Sequence, residues 1–206
     1  MNEPWYHEKV TDLESGRTNQ KLRTKNALLA AARALIAKGT APTVEDAAEA
    51  ASISRTTAYR YFKNQAELLT AAHPEIHVAS FLPEDAPADA EARLDIVVKK
   101  LTKGIVASEA QYRTVLRLSL EEGRDKSSLV LRQGRAIKWI EEALEPARAT
   151  LGKAPLRRLV LAIRASVGIE ALVWLTDIAG LSREEAMRNM HWSARALLRA
   201  ALAEKS

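Results

Sequence analysis

Along almost the whole chain, apolar residues return at three- and four-residue intervals, the period of one face of an α-helix. No stretch sustains the one-in-two alternation of a half-buried strand. An all-α fold is expected. Punctuation then divides the helices. Leu28, Ala32, Leu35 and Ile36 form a stripe that Gly39 is placed to end in a left-handed cap. Thr43, with Asp46 three residues on, makes a capping-box-like start; further starts fall at Ser54 and at Asn64, the latter followed by Glu67. Pro74, Pro83 and Pro87 mark residues 73–87 as a linker. Five longer helices are expected beyond it, near 89–107, 108–122, 128–150, 155–179 and 182–203. Gly123, Gly152 and Gly180 separate them, Pro155 sits in a first turn, and Ser182 with Glu185 forms a capping box. Pro146 is expected to kink the third of these. The domain order is an N-terminal extension (1–17), expected to be mobile, a small helical head (18–72) and a larger helical body (73–206).

Composition removes several functions. With 47% apolar residues in 206, the chain can bury a core. It has no cysteine, so disulfides, thiolate metal sites and cysteine nucleophiles are excluded, and a reducing compartment fits. The strongest apolar run, 159–163, is cut by Arg164, and the opening MNEPWYHEKV has no secretory pattern. A soluble cytoplasmic protein is expected. There is no glycine-rich phosphate loop and no nucleophile elbow. Glu121-Glu122 and Glu141-Glu142 are adjacent pairs that point apart on a helix. His73 and His77 have the spacing of a metal pair, but Pro74 between them breaks a regular helix. No catalytic residue, metal or cofactor is expected.

Charge is unevenly placed. Residues 1–16 set four acids against Lys9, whereas residues 17–63 hold nine Lys/Arg against three Asp/Glu, within an overall net charge of +5. A positive head before a near-neutral body suits a nucleic-acid partner; a solvated basic face is the other reading.

Residues 44–63, VEDAAEAASISRTTAYRYFK, have helix-turn-helix spacing. Where two short helices cross at a tight turn the contact position must be small, and Ala48 fills it. Ala47, Ala51, Ile53 and Ala58 are apolar where the pair meets the Leu28/Leu35 stripe. Arg55, Thr56, Thr57, Tyr59, Arg60 and Tyr61 are left to face outward, and their guanidinium, hydroxyl and phenol groups suit phosphates and base edges.

The run from Thr43 to Phe62, ending in Tyr59-x-x-Phe62 and followed by Asn64 and the Glu67-Leu68 pair, resembles the DNA-binding domain of the tetracycline-repressor (TetR) family. The likeness covers about residues 20–70. It implies a three-helix head plus the start of a fourth helix, a larger dimerisation and ligand-binding body, and a ligand-responsive repressor. On this likeness Thr43 meets a phosphate, and Arg55, Thr56 and Thr57 read base edges. Tyr59 and Tyr61 touch phosphate or thymine methyl groups, Lys63 clamps a phosphate, and Arg60 contacts DNA or stays within the head. Phe62 belongs to the core. Two positions depart from the family pattern. Ser52 stands where glycine is usual, a steric cost if the turn needs positive φ. Gln65 stands where a lysine commonly opens the fourth helix. Arg17, Lys21, Arg23 and Lys25 form either an arm toward the minor groove or a solvated one.

The resemblance further implies a homodimer through the last two helices on a palindromic double-stranded operator. Leu156, Leu159, Val160, Ile163, Val167 and Trp174 form one stripe; Met187, Met190, Ala194, Leu197, Leu198 and Ala201 form another. Either could equally be internal core. Ala165, Ser166, Gly168 and Ala171 are small enough for close helix approach. Polar or aromatic interruptions of the body helices are candidate contacts for a small-molecule effector: Tyr112, Arg117, Glu121, Trp139, Arg164, Glu170 and Trp174. The competing readings are a helical interaction protein and a small helical enzyme, neither of which binds DNA.

Overall fold

The computed structural model describes residues 5–72, 78–120 and 134–204, with side chains from residue 18 onward except Leu118. Every regular element among them is helical. The chain divides into two compact units, Met1–Ile76 and His77–Ser206.

The first unit holds α1 (Trp5–Ala37), α2 (Val44–Ala50), α3 (Arg55–Tyr59) and α4 (Gln65–Ala72). The backbone from Trp5 to Arg17, expected as an extension, is helical and continuous with α1. After Pro4 no proline interrupts this stretch, and the lone Gly16 costs a helix only about 1 kcal/mol. Leu28, Ala32 and Ile36 form the buried stripe of α1, which packs against α2 and α4 with their buried Val44, Ala47 and Leu68; Ala58 and Phe62 are buried in the same unit. Gly39, at φ 82°, ends the helix, its amide donating to Ile36 O across 2.8 Å.

In the second unit, α5 (Ala90–Ala107), α7 (Arg135–Ala143), α9 (Lys153–Ser166) and α11 (Arg183–Ala203) pack around one apolar core. The shorter α6 (Glu109–Leu120), α8 (Arg148–Leu151) and α10 (Ile169–Val173) complete it. The caps at Asp89 and Ser182 start α5 and α11 as their sequences require.

Two expected helices are broken. The third body helix stops at Ala143, turns through a 3₁₀ segment at Glu145–Ala147 and resumes as α8. Pro146 lacks the amide needed to continue the ladder, so it breaks the helix where a kink was expected. The fourth was expected unbroken over 155–179. It stops at Ser166, passes through Val167 and Gly168 in extended geometry, and resumes as α10 and a π-helical turn at Trp174–Ile178. Arg164 Nη1 donates to the Val167 carbonyl across 3.3 Å, satisfying a group the helix has released. Its guanidinium lies where a Cβ on residue 168 would stand, so glycine leaves room for that interaction. No proline marks this break, which is why helical periodicity ran through it. Among the described residues no single helix is long and apolar enough to cross a membrane.

Residues 78–87, the second part of the expected linker, are fastened to the body. Trp139 Nε1 donates to Ala79 O at 3.0 Å, the Phe81 ring lies 4.3 Å from the Trp139 ring, and Lys100 Nζ donates to Phe81 O at 2.6 Å. His73, Pro74 and His77 lie outside the described residues, as do Glu121, Gly123 and Ser128.

Candidate nucleic-acid interface

The helix-turn-helix is built by its caps. Thr43 Oγ1 accepts from Asp46 N at 3.1 Å while Asp46 Oδ2 accepts from Thr43 N at 2.8 Å, a closed capping box. Those bonds hold the Asp46 carboxyl below its ordinary range. Ser54 caps α3: its Oγ accepts from Thr57 N at 3.3 Å and donates to Thr57 Oγ1 at 2.9 Å. Such caps contribute about 1 kcal/mol each.

The turn between them needs a left-handed residue, and Ser52 supplies it at φ 54°. It is the one described non-glycine residue at positive φ. The turn is closed by Ile53 N donating to Ala48 O at 2.8 Å. Ala48 is fully buried at the helix crossing, as expected of a small contact residue.

Burial orients α3. Ala58 and Phe62 are buried in the head, Thr57 and Tyr61 are half-buried, and Arg55, Thr56, Tyr59 and Arg60 are exposed. Thr43 and Lys63 are exposed as well, and the Lys63 amide donates to Glu67 Oε2 at 2.8 Å. The α3 set is therefore an outward guanidinium, hydroxyl and phenol surface on a buried apolar edge, the chemistry that meets phosphates and base edges. Gln65 is turned inward: its Nε2 donates to Ala41 O at 2.8 Å and Pro42 O at 3.3 Å, tying the start of α4 to the segment before α2.

Sequence reasoning missed Glu45. Its Oε1 accepts from Tyr59 Oη at 2.5 Å, joining α2 to α3 beside Thr43 and Arg55. The Tyr59 hydrogen bond, with help from the Thr43 hydroxyl and the Arg55 charge, holds this carboxyl below its ordinary range; the same bond pushes the Tyr59 phenol up. Nothing in the spacing of the motif shows this contact, since it depends on the angle between two helices. Lys21, Arg23 and Lys25 are exposed along α1, where the arm is helical; the side chain of Arg17 is outside the described residues.

The effector candidates are scattered. Trp139 is 2% exposed in the body core, its indole N–H bonded. Tyr112 is half-buried against that core and Arg117 is exposed. Arg164 and Glu170, both half-buried, pair across 3.4 Å beside the break at Gly168. Trp174 is exposed, and Glu121 is outside the described residues. None of the described candidates lines the groove of about 690 Å³ between α5 and α11.

Of the two apolar stripes, Leu156, Leu159, Val160, Ile163, Val167, Met190, Ala194 and Leu198 are buried in the body's own core, while Met187, Leu197 and Ala201 are half-buried. The large apolar residues left outward in this region are Leu161, Trp174, Ile178 and Trp192, at 44, 59, 74 and 69% exposure.

Residues 28–72 match the family model of bacterial regulatory proteins of the tetR family. No curated protein matches the chain. The match spans α1 from Leu28, the capped helix pair and α4, the same elements that bury Ala48 and Phe62 and turn Arg55, Thr56 and Tyr59 outward. The first unit is thus a DNA-binding helix-turn-helix similar to that of bacterial regulatory proteins of the tetR family, which supports a transcription regulator.

Proposed function

We propose that the protein is a cytoplasmic, non-enzymatic repressor that binds a palindromic operator as a homodimer and responds to a small-molecule effector held in its body. The observation that carries this reading is the surface of α3, with Arg55, Thr56, Tyr59 and Arg60 exposed over buried Ala58 and Phe62. Thr56 and Arg55 read bases, Lys63 and Thr43 hold phosphates, and Tyr61 packs its half-buried ring beside the backbone. Thr57 acts chiefly through the Ser54 cap that engages its hydroxyl.

One head covers too little surface for tight specific binding, so symmetry has to double it. The exposed Leu161, Trp174 and Ile178 of the last helices favour a second copy there, because a lone protomer leaves them in water. Regulation follows if the effector prefers one spacing of the heads; a ligand of equal affinity for both spacings shifts nothing.

Titration of a labelled duplex with the full chain at several salt concentrations, together with sedimentation equilibrium, tests this. Expected are a dimer and an affinity that falls steeply with salt, as counterions are released from several phosphates. A monomer at binding concentrations, or affinity indifferent to salt, contradicts it.

A further inference from the structure

A groove of about 690 Å³ runs between α5 and α11 in the body. That volume lies in the range that holds small organic ligands, about 300–1,000 Å³. Its floor is polar and satisfied: buried Thr102 donates to Val98 O at 2.9 Å and meets His191 Nε2 at 3.2 Å. Its walls are Met187, Ala196, the exposed Trp192 ring and the aliphatic stems of long cationic side chains.

The charge is one-sided. Arg195 and Arg199 are neutralised across the helix pair by Asp95 and Glu91, which fix α11 to α5. Lys99, Lys103 and Arg188 form no ion pair or side-chain hydrogen bond with any described residue, and Glu184 is the only acid that lines the groove with them. Three long, uncommitted cations over an apolar wall suit a ligand with an anionic head and an apolar body. An inorganic anion would leave Trp192 and Met187 unused, and a cationic amphipath would meet Lys99, Lys103 and Arg188 head-on.

We propose that this groove binds an amphipathic carboxylate, its headgroup held by Lys99, Lys103 and Arg188 and its apolar body laid along Trp192 and Met187. As the site of the effector, the groove rests on the regulatory reading above; its occupancy does not.

The test is calorimetric titration of the full chain, without DNA, with decanoate, acetate and decyltrimethylammonium. Decanoate is expected to bind once per chain, with the other two at least about tenfold weaker. Lys99→Gln with Lys103→Gln is expected to weaken decanoate about tenfold or more with an unchanged melting temperature. Trp192→Ser is expected to weaken it while leaving the preference for anion over cation intact. Absence of decanoate binding, equal binding of the cationic amphipath, or full binding by the double lysine variant overturns the proposal. So does a groove closed by a second copy, seen as decanoate binding only once dilution has separated the chains. Repeating the titration with duplex DNA present separates the two readings. Decanoate that binds the groove yet leaves DNA affinity unchanged keeps the site and removes its regulatory role.

Discussion

The Tyr59 hydroxyl lies 2.5 Å from Glu45 Oε1, so the only proton of that phenol is committed to a carboxylate on the neighbouring helix. A tyrosine so engaged accepts hydrogen bonds from other groups but donates none to a phosphate unless Glu45 releases it. The carboxylate also adds negative charge beside Thr43 and Arg55, on the face proposed to meet DNA.

Replacing Glu45 with Ala is therefore expected to tighten binding to all duplexes and steepen the salt slope by about one unit, because a charge that opposes phosphate is gone and the Tyr59 proton is freed. In Tyr59→Phe, the same Glu45→Ala change is expected to give a smaller gain. Anisotropy titrations of the four proteins form the cycle. Identical gains in both backgrounds would show that the contact has no part in binding.

Ser52 occupies a left-handed conformation that costs a residue with a Cβ roughly 1–2 kcal/mol, partly offset because glycine would loosen the unfolded chain. Ser52→Gly is expected to stabilise the head by about 0.5–1 kcal/mol, read as a higher urea midpoint at constant slope. A lower midpoint contradicts the assigned turn.

Lys63 and Thr56 are expected to fail differently. Lys63→Ala weakens binding to every sequence and flattens the salt slope by about one unit, whereas Thr56→Ala leaves the slope and relaxes base preference. Competition between specific and random duplexes at two salt concentrations distinguishes them. Equal loss on both kinds of DNA from both variants refutes the assignment.

In the body, Arg113 bonds Asp177 at 2.6 and 2.7 Å and Glu109 at 2.7 Å, and Arg183 bonds Glu109 at 2.6 Å. Arg113, with Thr176 assisting, lowers the Asp177 carboxyl to about 2. Burial pushes Glu109 up, but the Arg183 and Arg113 bonds outweigh it and leave it below its usual range. A depressed carboxyl stabilises the fold fully above its unfolded value and loses that contribution as pH falls through its folded value. For Asp177 the window runs from about 4 down to about 2. Asp177→Asn is expected to be less stable than the parent at pH 7 and to match it near pH 2. Urea midpoints at both pH values check this; a deficit that persists near pH 2 assigns the loss to packing.

The head was legible because its signals are local: caps at Thr43 and Ser54, Gly39 after a stripe, small Ala48, and an outward set on α3. Each is fixed by residues within one or two turns. Ser52 was legible in the same way, as a non-glycine residue in a turn that demands positive φ. The Glu45–Tyr59 bond and the inward Gln65 were not, because both depend on how separate helices are set against each other. The break at Val167 and Gly168 escaped because Arg164, one turn before it, supplies the hydrogen bond that the interrupted helix lacks. In the last helices, periodicity marked which positions are apolar but not their partner. Burial assigns Leu159, Ile163, Met190 and Leu198 to the body's own core and leaves Leu161, Trp174, Ile178 and Trp192 outside it.

Selection of duplexes from a random pool by the full chain bears most directly on the reading of α3 as a base-reading helix used twice. The expected product is an inverted repeat with half-site centres one turn apart or a multiple of it, roughly 34–36 Å per turn, and Thr56→Ala is expected to blur the consensus within each half. Recovery of no consensus, or of one asymmetric site untouched by changes at Arg55 and Thr56, would contradict it.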